Sequence, residues 1–427
     1  MVDAHLPLAW FLIYTSLLVM GPQRVTAEAN SVTCANSTVL RQEWRDLSAR
    51  QKQSFLNAIK ILRNPTKSPS KRGLSNRFAD FADIHASVAG RVHSNAMFLV
   101  WHREFLRRFE MELQQVDPSV SLPYWDTGYD GAKPLANVDI FGSKPTSMGT
   151  QAKKTKNGYC LGDGFCGGWK NADGSCLTRA YSSSIHFRDN TVYTPLILSS
   201  PNYDAFGSAL ASAHDMVHEQ LGGTLLNGKR ADMFLLSRSA NDLLFYLHHA
   251  NVDRLFYRWQ KTDSRRSDKY SKTGYSAKGS INDILPFWKV PVKAVLLSDG
   301  GAVLPDGTGK YCIKYAPFSK GSKKEGVPRT GQRSTVAVPI GSGKNRTIAR
   351  APAISVSQSW IEANAASMNI STSRFEERIR GSEFTLDSIQ RQFDEKLDQV
   401  LARNVTMDYE DAYEEVMAAW AVVSNLA

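Results

Sequence analysis

FLVWHREFLRRFEMELQQVDPSVSLPYWD, residues 98–126, opens with a stripe formed by Phe98, His102, Phe105, Phe109 and Leu113. Steps of three and four residues put these side chains on one face of a helix running from about Ala96 to Val116. His102 lies on that apolar face and therefore points into a protein interior. A second stretch, SANDLLFYLHHANVDRLFYRWQ (239–260), repeats the arrangement with Phe245, His249, Val252, Phe256 and Trp259. Between Asn76 and Val88 the positions Phe78, Phe81, His85 and Val88 do the same. A fourth helical stretch carries His214 and His218 at i, i+4, so both rings leave one face toward one point.

One histidine on an apolar stripe is ordinarily a core residue with a hydrogen-bond partner. Here the histidines are clustered. Beyond residue 27 there are eight, and seven lie within 85–102 and 214–249, where an even spread would leave about one. Several imidazoles buried on separate helices are expensive without a shared partner, and a metal ion supplies one. Imidazole suits copper, zinc, iron and nickel, and three-nitrogen sites need no carboxylate or thiolate. His214-Asp215-Met216-Val217-His218 departs from the zinc-peptidase pattern, because Asp215 stands where a catalytic Glu belongs. Two sets of histidines on facing helices fit a binuclear centre.

The two quoted segments resemble the CuA and CuB regions of the tyrosinase family, in particular its secreted invertebrate members. The resemblance extends to VLRQEWRDLSARQKQSFLNAIKIL (39–62) and GDGFCGGW (162–169), and so covers roughly Cys34 to Lys261. FLxWHR followed by PYWD, with HxxxH and a later HHxxxD, is a highly specific combination. It implies His85, His93 and His102 as ligands of one copper, and His214, His218 and His249 as ligands of the other. The second histidine of the HH pair is the family's ligand, and the stripe through Phe245 separately turns His249 inward. His248 then supports a ligand from behind or is structural. Asp253, four residues after His249, is a candidate for orienting a ligand ring or for pairing with Arg254 or Arg258. The implied fold is mainly α, a four-helix bundle around a binuclear copper site, with long loops and a mixed C-terminal region. The implied chemistry is oxidation of o-diphenols, and in part of the family of monophenols, to o-quinones by dioxygen. The substrates would be small phenols or protein tyrosines, in pigment formation or matrix cross-linking. Haemocyanin-like dioxygen binding and an inactive or zinc-loaded relative are the rival expectations.

Several positions depart from the family pattern. Arg91 occupies the place of a cysteine that many members link to the second CuA histidine, and no cysteine lies between Cys34 and Cys160. Val100 and Leu243 replace prolines of the FLPWHR and NDP motifs, both near helix starts, where proline is a preference rather than a need. Ala211 and Asp215 stand where hydroxylating members have a Glu and an Asn holding a water. Asp215 is itself a candidate base.

The remaining chain sets the context. Leu6–Met20 is an apolar run too short to span a bilayer. With Val25-Thr26-Ala27 behind it, residues 1–27 read as a signal peptide. Sequons at Asn36, Asn345, Asn369 and Asn404 agree with a secreted glycoprotein. No second apolar run suggests a membrane anchor. Of five cysteines, Cys160, Cys166 and Cys176 share one Gly-rich segment where a loop-closing disulfide is expected, and the odd count leaves one over. The net charge of +11 comes entirely from 261–350, with 18 Lys/Arg against 6 Asp/Glu. In a secreted chain this is a basic surface toward water, acidic matrix or glycans, not a nucleic-acid site. A first helix over Val39–Arg63, strands and loops over Lys261–Arg350, and a tail helix with Leu386, Ile389, Phe393, Leu397 and Val400 complete the reading. The resulting division is signal 1–27, copper-binding domain 34–261 and C-terminal region 262–427. The sequence does not fix the oligomeric state.

Overall fold

The computed structural model describes residues 34–320 and 371–373, apart from 35–37, 94, 132–134, 136–137, 157, 182–186, 188–192, 199, 201, 267–269 and 272–278. The expected signal peptide, the four sequons and the tail helix lie outside the described residues.

The protein is helix-rich. The first helix, α1 (Ala49–Leu62), starts ten residues later than periodicity suggests. Ser48 accepts from the Gln51 N–H while the Gln51 side chain returns to the Ser48 backbone, a reciprocal cap that fixes the start. The chain before it is strand β1 (Val39–Arg41), paired in parallel with β4 (Ile313–Tyr315), followed by a single 3-10 turn, Trp44–Asp46. Its apolar residues had looked helical because strand, turn and helix in succession happened to preserve the spacing.

Helix α2 (Arg77–Val92) is capped by Asn76, whose side chain accepts from the Ala79 N–H. Helix α3 covers Met97–Val116, α4 Tyr193–Leu198, α5 Tyr203–Leu221 and α6 Leu243–Thr262. Asn202 caps α5, and Asp242 caps α6. Leu243, at the place of the motif proline, is the first residue of α6. Helix α3 packs against α2 and α6, and α5 against α6. Between them lies an aromatic core in which Phe109 stacks on Tyr246 at 3.9 Å and meets Phe81 edge-on at 5.3 Å.

The quoted motifs also join α6 to α3 and to the segment that follows α3 through crossed ion pairs. Arg103 of WHR meets Asp253 at 2.6 Å, and Asp126 of PYWD meets Arg254 at 3.2 Å, with all four side chains buried. Asp253 therefore neither orients a histidine nor sits on the surface. Its second oxygen accepts from the Tyr315 hydroxyl at 2.6 Å.

The Gly- and Cys-rich segment contains an antiparallel hairpin, β2 (Ala152–Thr155) and β3 (Gly158–Leu161). Cys160–Cys176 closes the loop behind it, and Cys166 is a buried free thiol. A second disulfide, Cys34–Cys312, fastens the N-terminal strand pair. The segment 281–318 packs onto the helices: short helix α7 (Val292–Val295) contacts α3, and the Trp101 indole donates to the Pro286 carbonyl at 2.9 Å. Among the described residues no helix is long and apolar enough to cross a membrane.

Candidate metal centre

The helices bring every sequence-predicted histidine to one place. His85 projects from the middle of α2 and His102 from the second turn of α3. His93 is the residue at which α2 ends, in extended conformation, and its ring folds back toward the helix. These three can place one nitrogen each within 4.8 Å of one another. On the other side, His214 and His218 project from α5, while His248 and His249 come from α6. His214, His218 and His248 also form a group within 4.8 Å. His249 comes closer still, with its Nε2 3.1 Å from that of His214 and 3.3 Å from that of His218. Its ring stacks on His102 at 4.4 Å, which joins the two groups. Both members of the HH pair are buried, so burial does not separate them.

Ring orientation follows from the second nitrogen. His93 Nδ1–H donates to the Ala89 carbonyl at 2.9 Å, and His102 Nδ1–H to the Phe98 carbonyl at 2.8 Å. His218 Nδ1–H donates to the Met233 carbonyl at 2.8 Å, and His214 Nδ1 faces Asp215 Oδ1 at 2.9 Å. In each case the remaining nitrogen, Nε2, is left for an ion, the arrangement metal-binding histidines use to fix tautomer and direction.

Nε2 of His102 and Nδ1 of His249 are buried without a hydrogen-bond partner, while His85 faces only the Leu236 backbone and His248 only the His214 backbone. Such clustering of unmatched lone pairs is unfavourable without a cation. Imidazole–metal bonds of about 2.0–2.1 Å at a tetrahedral angle separate the nitrogens by about 3.3 Å. The 3.1 and 3.3 Å edges around His249 have that size. The residues present fit a pair of metal ions.

Burial lowers the pKa of all seven, reinforced by neighbouring histidines in every case but His218. His93 and His218 fall to about 4, each held up in part by the carbonyl it donates to. His85, His102, His214, His248 and His249 fall well below the ordinary value. All are neutral at pH 7, the form that binds metals. The unfolded chain takes up these protons below about pH 6.5. In the folded, metal-free chain His93 and His218 resist until near pH 4, and the other five are also held well below their ordinary value. Folding stability of the metal-free protein should therefore fall as pH drops through that window. Each such histidine contributes a slope of about 1.4 kcal/mol per pH unit. Urea melts of metal-free protein between pH 7.5 and 4.5 check this, and stability independent of pH would show that the rings are not buried neutral.

Phe98 is the aromatic residue between the groups, with its ring 4.8 Å from His214 and 5.1 Å from His102. Phe245 stacks on His249 at 4.1 Å and meets His85 at 4.8 Å. The sequence marked both only as core. It gave no signal for the Met233 carbonyl, since a backbone acceptor carries no residue code. The nearest hint is Gly222-Gly223: a Cβ on Gly222 would lie 2.1 Å from the Phe234 nitrogen, so only glycine lets that turn close on the end of α5.

The family model described as the common central domain of tyrosinase matches residues 75–262, the stretch that holds all seven histidines. A tyrosinase of Aspergillus flavus is 31% identical over 286 residues, covering 63% of this chain and 78% of that one. The chain belongs to the tyrosinase family. Members of this family are type-3 copper proteins that bind two coppers, which agrees with the paired histidine groups. A tyrosinase of Streptomyces antibioticus is 27% identical over 282 residues, 60% of this chain and 96% of that one. Among solved structures, a polyphenol oxidase variant of Thermothelomyces thermophila aligns with a TM-score of 0.49 at 18% identity, covering 68% and 91%. Where this tyrosinase-family chain departs from the motif pattern, the structure is undisturbed. Val100 is buried inside α3, and Arg91 is exposed in the last turn of α2.

Proposed function

We propose that this protein oxidises o-diphenols to o-quinones with dioxygen, using two copper ions. His85, His93 and His102 would hold one, and His214, His218 and His249 the other. The observation that carries this reading is the convergence of neutral imidazoles from α2, α3, α5 and α6, read as a four-helix bundle, four of them anchored through Nδ1. Copper bound there would supply dioxygen binding and its two-electron reduction. The chain's own part is to hold the ligand nitrogens rigid and unprotonated, and to keep the site dry with Phe98 and Phe245. In this reading residues 1–27 are a removed signal, 34–261 the copper-binding domain and 262–427 a C-terminal region. The protein acts outside the cell, with small phenols or protein tyrosines as its substrates; the two disulfides suit that compartment.

Purified protein reconstituted with copper should contain two coppers per chain by elemental analysis and turn over a catechol. One equivalent of zinc and no turnover would favour a redox-silent relative. Two coppers with reversible dioxygen binding and no turnover would favour a carrier.

Reaction choice turns on Asp215. Burial and the nearby Glu219 carboxylate push its pKa up to about 7, and its Oδ1 faces His214. A pKa near neutral suits a general base, but the Asp215 Oδ1 is already occupied by a ligand ring and is not free to take the proton of a monophenol, whose pKa is about 10. Catechols depend less on that help. The expected result is fast diphenol oxidation, with monophenol oxidation slower or after a lag. Ala211→Glu combined with Asp215→Asn, in which an amide oxygen still accepts from His214, should raise the monophenol-to-diphenol rate ratio. Wild-type protein that hydroxylates tyrosine as fast as it oxidises its catechol would overturn this.

A further inference from the structure

Four histidines of the centre have an anchored Nδ1, and three anchors are local. His93 and His102 use carbonyls four residues back in their own chain segment, and His214 uses its neighbour Asp215. His218 is different: its acceptor, Met233, lies fifteen residues away in a separate 3-10 turn, Asp232–Phe234. A single 3-10 turn has little stability of its own. Its position must be set by what surrounds it.

Asp232 does this. The carboxylate is buried and gathers donors from two directions. The Thr178 N–H reaches it at 2.7 Å, the Thr178 hydroxyl at 3.0 Å and the Asn171 amide at 3.3 Å. Arg238 pairs with its other oxygen. Asn171 belongs to the loop closed by Cys160–Cys176 and Thr178 follows it by two residues, and Arg238 also reaches Asp173 of that loop at 2.7 Å. The same segment grips α6, because buried Arg179, next to Thr178, makes a bidentate pair with its cap Asp242 at 2.9 and 3.0 Å. The segment that looked like a mere Gly- and Cys-rich connection is thus fastened to both carriers of the second histidine group. His93 and His102 have internal anchors, and of the first group only His85 faces this region, through the Leu236 backbone just after the turn.

We infer that Asp232 is a positioning residue for the second metal ion: it fixes the Met233 carbonyl, which aims His218 Nε2. The inference rests on the binuclear reading above. Removing the charge frees the turn and lets the His218 ring rotate, while the first ion keeps His93 and His102 on their own anchors and is affected less. Loss of such an outer contact lowers metal affinity by about 10–100-fold.

The test is copper binding by full-length protein, followed by equilibrium dialysis and by electron paramagnetic resonance of the cupric form. Wild type should hold two coppers whose spins couple, giving little signal. Asp232→Asn should retain one tightly and lose the second about 10–100-fold more readily, so an isolated cupric signal appears. A general loss of stability would weaken both ions together and would not produce that signature. If Asp232→Asn does not fold, Thr178→Val removes one donor from the same carboxylate, and the same selective loss is expected at smaller size. Two coupled coppers at wild-type affinity in the folded variant overturn the inference alone. Fewer than two coppers in wild type overturn the binuclear reading and this inference with it.

Discussion

His249→Ala should remove the second copper and lower catechol turnover by more than about 100-fold, the upper end for loss of an outer contact. His248→Ala should leave copper content at two. The adjacent rings are both buried and both near His214 and His218, so the prediction rests on what each nitrogen meets. His249 Nε2 stands 3.1 and 3.3 Å from two other Nε2 atoms, distances that suit a shared ion, and its ring is held between Phe245 and His102. His248 stacks face to face on His214 at 5.2 Å, a packing contact. Its alanine variant leaves a cavity and should cost stability, about 2–4 kcal/mol for a large buried side chain, without losing the ion. Elemental analysis of both variants decides the matter. If His248→Ala is the one that falls to a single copper, the ligand assignment is wrong by one residue.

The helices that carry the site were legible because a histidine at an i, i+3 or i+4 position among phenylalanines betrays an inward face. That pattern survives tertiary context, and the boundaries of α2, α3 and α6 differ from their sequence positions by a few residues at most. His93 was not legible this way. It terminates α2, outside any stripe, and only the family resemblance pointed to it. Strand β1 was hidden for a related reason: its partner β4 lies more than 270 residues away, and three residues of strand have no period to read. Asp253 shows the limit of spacing. Four residues after a histidine it suggested a hydrogen bond to that ring, yet the angle around α6 carries it to Arg103 and Tyr315 instead. The charged letters of the motifs are thus what pins α3 to α6, while the histidines face the centre from the same two helices.

That division of labour predicts the largest stability effect. Asp253 meets Arg103 at 2.6 Å, Arg41 at 3.5 Å and the Tyr315 hydroxyl at 2.6 Å, all in the interior. Arg41 is shared with Glu110 at 2.8 Å and also donates to Tyr315 at 2.6 Å. One carboxylate therefore joins α6, α3, β1 and β4. Asp253→Ala leaves two buried guanidinium groups under-compensated, although Arg103 keeps the Gln260 and Leu296 oxygens and Arg41 keeps Glu110. Breaking a buried ion pair from one side costs about 3–5 kcal/mol, a large share of the 5–15 kcal/mol by which proteins of this kind are stable. Asp253→Asn keeps one acceptor oxygen for Arg103 and turns an amide N–H toward the Tyr315 hydroxyl, and should lose less. Urea unfolding of the metal-free proteins measures both. The decisive companion measurement is copper affinity of the folded fraction, which should match wild type, because no atom of Asp253 is placed against a histidine ring. Were Asp253→Ala to fold with near-normal stability but bind copper weakly, the carboxylate would be serving His249 after all, and the ion-pair account of this motif would fall.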